Sequence, residues 1–466
     1  MLPEAVKMTA GRQRYKGIRR RGGLWIRQWR RRAPGPARVG NIFLALWLAG
    51  CAGAQQTLEG GEPAAAATTA DSGPAAGRNH PRHLDKPYVV VVSFDGFRHD
   101  YMERFDTPNF DRMAAQGARA DGLIPVFPSL TFPAHYSIAT GLYPGTHGLV
   151  ANTFYDREFD RFYSLSDRET VEDGQWYGGE PIWVTAEKQG MVSAAFYFVG
   201  TEADVQGIRP SRWKRFDPIV PNEVRVDTVL TWLSLPDEER PHLVSLYFAE
   251  TDYAGHRFGP GEGPELAQAV AQVDQALGRL LDGLDELPHG DQVFVILVSD
   301  HGMSDVRPEG HDALDEIADL SGARLTSGGT VGILFVEGGE ERIEELRTQL
   351  DEGMPNAEVY RSHEAPARLH LNGHPRFGDL VVVPQEGYTI GIGPRRGSSR
   401  GMHGWDPSYS SMHGIFLVKG PGIEPATRLP GIESVDIYPF IARVLELEPA
   451  EGIEGDPGAL AALARR

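Results

Sequence analysis

One cysteine, Cys51, stands in a chain of 466 residues. That scarcity excludes a disulfide framework within the chain and any cysteine-built metal cage. A bound metal must therefore be held by histidines and carboxylates. Positive charge is also in deficit: 46 Lys and Arg face 64 Asp and Glu, a formal net charge of −18. Residues 1–50 hold twelve of the basic residues and a single acid, Glu4, which leaves 34 basic against 63 acidic residues beyond them, a net of −29. Such a surface argues against a nucleic-acid polymer or an anionic membrane as a bulk partner, yet leaves room for a small phosphorylated ligand in a metal-neutralised pocket. No internal repeat is evident, and nothing in the sequence indicates an oligomeric state. With 41% hydrophobic and 24% charged residues the composition is that of an ordinary globular protein. The length suffices for one large α/β domain with insertions, or for two domains.

The arginine-rich stretch 12–38 precedes a short apolar run at 42–48 and then Ala49-Gly50-Cys51. This is the order of an export signal: basic region, short apolar region, small-residue cleavage site. The apolar run is too short to cross a bilayer. Leu48-Ala49-Gly50-Cys51 resembles a bacterial lipobox, which implies that Cys51 is lipidated and becomes the mature N-terminus. Ala52 beside it implies sorting to the outer membrane of the cell envelope, on its periplasmic side or surface. Residues 51–86 are small and polar, with glycine and proline, and read as a flexible tether. The expected organisation is a signal peptide at 1–50, a tether at 51–86, one folded domain at 87–448 and a tail at 449–466. Residues 305–400 read as an inserted α/β lobe.

Within the folded part, residues 88–94, 243–248 and 293–299 are continuous apolar, β-branched runs, as expected of strands buried on both faces of a parallel sheet. The first ends at Asp95-Gly96, the third at Asp300-His301. The second is followed by Asp252 and His256, four apart and expected in a glycine-containing loop. In open α/β sheets chemistry collects at the carboxyl ends of strands. Between them lies Phe127-Pro128-Ser129-Leu130-Thr131-Phe132-Pro133-Ala134-His135-Tyr136. Proline is tolerated in the first turn of a helix, so Thr131 is expected at an exposed helix N-terminus, where an anion is favoured. Thr131 is the candidate nucleophile. A helix is expected over 264–287, with Leu266, Val270, Val273, Leu277, Leu280 and Leu284 as its core stripe. His147, His363, His370 and His374 read as structural or surface residues, whereas His403 and His413 are both candidate ligands.

The collected set is Asp95, Thr131, Asp252, His256, Asp300, His301 and His403. Mixed carboxylate and imidazole donors suit zinc, less exclusively manganese or iron. The number of donors suits two ions, which at roughly 3.5–4 Å apart can clamp a phosphoryl transfer. Ser93-Phe94-Asp95-Gly96, Thr131-Phe132-Pro133-x-His135-Tyr136, Thr140-Gly141-Leu142-Tyr143-Pro144, Asp252-x-x-Gly255-His256, Ser299-Asp300-His301-Gly302-Met303, His403-Gly404-x-Asp406 and Val435-Asp436-Ile437-Tyr438-Pro439 follow one another in that order. Together they resemble the nucleotide pyrophosphatase/phosphodiesterase family of the alkaline phosphatase superfamily.

The resemblance implies an α/β fold of alkaline phosphatase type: a three-layer sandwich around a mostly parallel sheet, with a small inserted α/β lobe. It implies two Zn2+, one held by Asp95, Thr131, Asp300 and His301, the other by Asp252, His256 and His403. It implies hydrolysis of nucleotide-like phosphodiesters through a phospho-threonine at Thr131, with Phe132 and Tyr247 sandwiching a nucleobase. The chain departs from the family at Ala134, where an asparagine that donates to a phosphoryl oxygen is expected, and at Leu130, where a lysine is common. Either Asn152 or a backbone N–H then supplies the missing donor, or the substrate differs from a nucleotide. The alternatives are a phosphonate or phospholipid head-group esterase of the same superfamily, and an inactive nucleotide-binding lipoprotein. A sulfatase is disfavoured because no cysteine lies in the core.

Overall fold

The computed structural model describes residues 77–464 except 396 and 398. The signal peptide expected at 1–50, Cys51 and residues 52–76 lie outside that part. Eight strands form the central sheet, in the spatial order Thr427–Leu429, Ala118–Ala120, Phe416–Lys419, Val293–Val298, Tyr88–Phe94, Leu243–Phe248, Ser193–Phe196 and Arg212–Lys214. The five strands from Val293–Val298 to Arg212–Lys214 run parallel. Phe416–Lys419 is antiparallel to both of its neighbours.

Every residue of Tyr88–Phe94 and of Val293–Val298 is buried. The period-two alternation of a strand divides Tyr88–Phe94 between two cores. Val89 and Val91 face one core; Tyr88, Val90, Val92 and Phe94 face the other. The second core takes the stripe of the helix Pro264–Asp285, with Leu266, Val270, Val273, Leu277, Leu280 and Leu284 all buried. The first takes Tyr136, Ile138 and Ala139 of the helix Thr131–Thr140, together with the helices Ile182–Lys188 and Ile437–Val444. Helices on both faces explain why these strands carry continuous apolar runs rather than alternation.

Within 305–400 lies a second, antiparallel sheet, ordered Ala323–Ser327, Gly332–Val336, Leu380–Pro384, Ala357–Arg361. One face, with Leu334, Val336, Leu380 and Val382, packs on Leu346 and Leu350 of the helix Glu340–Gly353. The other face sends Ile333, Phe335, Val381 and Val383 into the first core of the main sheet. Buried Arg376 adds a polar tie. Its Nε donates to Asp156 Oδ2 at 2.5 Å, and its Nη1 donates to Gly148 O at 2.9 Å and Trp176 O at 2.8 Å.

Packed structure also extends past both expected bounds. Asn79, placed by composition in the tether, donates from Nδ2 to Asp237 O and Arg240 O and accepts from Val192 N at 2.7 Å. In the expected tail, Leu460 and Leu463 are buried, and Glu454 N and Gly455 N donate to Gly141 O. The first segment is polar and is held by tertiary hydrogen bonds; the second is held by such bonds and by its leucines in the first core. No helix of the described residues is long and apolar enough to cross a membrane.

Candidate active site

Three adjacent parallel strands end at one edge of the sheet and deliver the acids there. Asp95 follows Tyr88–Phe94, and Asp300 and His301 follow Val293–Val298. Asp252 and His256 lie not in a loop but on the helix Glu250–Phe258, where a spacing of four puts both on one face. Gly255 is there for packing, since a Cβ would meet Met303 Cε at 2.9 Å. Gly96 has φ +65°, and a Cβ there would lie 3.0 Å from Asp252 Cα, so glycine lets the Asp95 turn close on Asp252. His403 enters just after Gly401–Met402, which pairs with Ser304–Asp305. Thr131 is the first residue of the helix Thr131–Thr140, as its sequence context predicts.

The side chains converge. Thr131 Oγ1 is 3.3 Å from His301 Nε2, and that nitrogen is 2.9 Å from Asp300 Oδ2 and 3.4 Å from Asp95 Oδ1. Asp252 Oδ1 is 3.3 Å from His256 Nε2 and 3.5 Å from His403 Nε2. Each of these histidines has its Nδ1 on a backbone carbonyl: His256 on Gly401 O, His301 on Gly302 O, His403 on Ser129 O. A carbonyl only accepts, so each Nδ1 bears the hydrogen and each Nε2 presents a lone pair to the centre. His256 Nε2 and His403 Nε2 stand 3.2 Å apart, lone pair toward lone pair. Asp95 Oδ1, Asp252 Oδ1 and Asp300 Oδ2 are buried with no hydrogen-bond donor. Buried acceptors are normally satisfied, and a divalent cation would satisfy this set. Two triads, Asp252–His256–His403 and Asp95–Asp252–His301, each have ligand atoms within 4.8 Å of one another. The donors are those zinc takes.

Electrostatics divide the cluster: burial lowers His256 and His301, but Asp252 and Asp300 outweigh it and raise both imidazoles. Burial, then the charges of Asp300 and Asp252, push the Asp95 carboxyl well above the usual carboxylate range. Burial also acts on Asp300, but His301 and His135 outweigh it and hold that carboxyl well below the range. Burial and the neighbouring His301 lower His403 to about 3, which keeps its imidazole neutral as ligation requires. His413, the other candidate, is not part of the cluster; its Nε2 lies 2.9 Å from Pro407 O.

Beside the cluster opens a cavity of about 270 Å³, lined by Asp95, Thr131, Asp252, His256 and His403 on one side. Its other walls include Phe132, Asn152, Leu165, Arg168, Phe216 and Tyr253. Asn152 Oδ1 accepts from Phe132 N at 2.9 Å, which fixes the amide beside Thr131. Ala134 is different from expectation. It is fully buried against Val126 and Val435 and does not line the cavity, so a side chain there has no path to a bound phosphoryl group. Tyr247 lines the cavity, but its hydroxyl donates to Asp95 Oδ2 at 2.5 Å. Phe216, which the sequence did not single out, offers a further half-buried aromatic wall with its ring 6.2 Å from Tyr247. His135 was also passed over; it is fully buried at the centre of this network. His147 is structural, bonded to Ser137 Oγ at 2.9 Å.

Residues 89–406 match the family described as type I phosphodiesterase/nucleotide pyrophosphatase. The chain is 33% identical to human ectonucleotide pyrophosphatase/phosphodiesterase family member 1 over 381 residues, 79% of this chain and 41% of that protein. It is 32% identical to venom phosphodiesterase CdcPDE of Crotalus durissus collilineatus over 399 residues, 82% of this chain and 47% of that one. The chain thus spans under half the length of these relatives. Murine ectonucleotide pyrophosphatase/phosphodiesterase 5 superposes with a TM-score of 0.76 at 30% identity, covering 81% of this chain and 99% of that one. An inactive threonine-to-alanine form of that protein in complex with AMP superposes with a TM-score of 0.77 at 29% identity, over 81% of this chain and 100% of that one. The α/β fold is alkaline phosphatase-like, and the chain belongs to the type I phosphodiesterase/nucleotide pyrophosphatase family.

Proposed function

We propose that the protein is a metal-dependent phosphodiesterase and nucleotide pyrophosphatase, acting on small nucleotide-like diesters with two zinc ions at the Asp/His cluster. The observation that carries this reading is the placement of Thr131: its hydroxyl stands at a helix head, facing the cavity and 3.3 Å from His301 Nε2 among donor-free carboxylate oxygens. The inactive threonine-to-alanine relative solved with AMP supports it. Bound cations would lower the pKa of a coordinated hydroxyl and offset charge on the phosphoryl oxygens.

Thr131 Oγ bonds to phosphorus as the bond to the leaving oxygen breaks. Water then cleaves the phospho-threonine, restoring the hydroxyl and releasing a monoester. The Asn152 amide, held by Phe132 N, leaves its NH2 free to donate to a phosphoryl oxygen. Phe132 and Phe216 supply aromatic faces for a base, while Tyr247 steadies Asp95. Zinc-loaded protein is expected to hydrolyse p-nitrophenyl thymidine monophosphate. Bound zinc with no turnover on any diester would reject the reading.

The export signal and the lone cysteine support attachment of the enzyme to the bacterial cell envelope through lipid on Cys51. A Cys51→Ser protein is then expected to leave the membrane fraction; unchanged membrane retention would refute the anchor.

A further inference from the structure

One buried histidine of the cluster has no part in the reaction just described. His135 lies one turn beyond Thr131 on the same helix and is fully buried. Its Nδ1 is 2.9 Å from Thr131 O and 3.1 Å from Asp300 Oδ2, and its Nε2 is 2.7 Å from Ser93 Oγ. The Thr131 carbonyl can only accept, so Nδ1 bears the hydrogen and Nε2 accepts from the Ser93 hydroxyl. A nitrogen that carries hydrogen cannot bind metal. His135 is therefore not a ligand, although its ring nitrogen lies within reach of Asp95 and Asp300. The N–H points at Thr131 O, and Asp300 Oδ2 stands beside it with its lone pairs open. The ring is wedged edge-on between two cavity walls, Phe198 at 5.2 Å and Tyr247 at 5.4 Å.

His135 thus joins three elements at one point. Ser93 lies two residues before Asp95 on the central strand, Thr131 heads the helix, and Asp300 follows the neighbouring strand. We propose that His135 is a positioning residue: its Nδ1–H, fixed on the Thr131 carbonyl beside Asp300, orients the first helical turn, which sets where the Thr131 hydroxyl sits relative to the metal-binding carboxylates, and Ser93 fixes the tautomer that allows it. This rests on Thr131 being the nucleophile of the proposed reaction.

Three substitutions separate positioning from packing. Asparagine puts an amide N–H near the place of Nδ1, glutamine puts one near the place of Nε2, and phenylalanine fills the ring volume with neither. In the zinc-loaded full chain, His135→Phe and His135→Gln are expected to lose about 10- to 100-fold in kcat with KM within about twofold. They are also expected to release zinc about 10- to 100-fold faster to a chelator. His135→Asn is expected to stay within about fivefold of the wild type in both readouts, and Ser93→Ala to fall between. The proposal is overturned if His135→Gln keeps wild-type kcat and zinc retention, or if His135→Asn is as impaired as His135→Phe. Should His135→Phe fail to fold, the asparagine and glutamine proteins decide between the same two outcomes. A wild type that binds zinc but turns over no diester would reject the reaction, and the order of zinc release among the variants would still decide on His135.

Discussion

At one end of the cavity, Asp95 and Asp252 carry oxygens that no donor reaches, as does Asp300 buried beside Asp95; Arg168, elsewhere in the lining, lies against both Glu172 and Glu202. Glu172 also pairs with Arg215 at 2.6 Å, and Glu202 accepts from Phe216 N at 3.1 Å. The rest of that part is apolar: Leu165, Val171 and Phe216. The first end is built to receive a cation and, through it, a phosphoryl group. The second offers mainly apolar and aromatic surface, with Arg168 engaged through Nε and Nη2 by Glu172 and Glu202. On the proposed function, one end carries the reaction and the other selects the group attached to phosphorus.

The largest effect should come from Thr131→Ala, with turnover down about 10⁴-fold or more while zinc content is unchanged. Full activity in that protein would move the nucleophile elsewhere. Next, chelation should remove activity and lower thermal stability; an ion at 100 times its dissociation constant contributes about 2.7 kcal/mol. A melting curve that ignores chelator and added zinc would break the claim that the strand-end acids await a cation. Asn152→Ala should lose about 10²-fold in kcat. Ala134→Asn sharpens the point from the opposite side. It should change kcat by no more than about threefold yet cost about 1–3 kcal/mol of stability, since it forces extra atoms into a packed apolar cluster. A rate gain there would show that position 134 reaches the phosphoryl group after all. The smallest effect is expected for Arg168→Met, with KM raised roughly three- to tenfold and kcat nearly constant, read by steady-state kinetics. A fall in kcat with KM unchanged would mean that the two ends are not separate in role.

The strand-end acids were legible because burial on both faces leaves a strong local mark. Continuous apolar runs stop where the chain turns, and Asp95 and Asp300 stand at those stops. Asp252 and His256 were legible as a pair but not in their setting, since Gly255 suggested a loop where the helix Glu250–Phe258 needs a residue without Cβ against Met303. The donor expected at position 134 is not there because a motif does not say which way a helix turns; three residues after Thr131, the chain already faces Val126 and Val435. Tyr247 was read as a stacking face, and the bond to Asp95 became visible only with both strands in register. Phe216 follows the short strand Arg212–Lys214 in an irregular stretch, with no period to flag it.

By itself, then, the sequence determined that several buried strands end in acids and histidines beside a threonine at a helix start. Periodicity and turn chemistry act over a few residues, so one chain reports them. Tertiary structure alone decided that His135 and Phe216 belong to the site, that residue 134 does not, and that Asn79, Leu460 and Leu463 tie the segments beyond the expected bounds to the fold. Those outcomes depend on the direction of side chains brought together from distant parts of the chain, and no local pattern carries that direction.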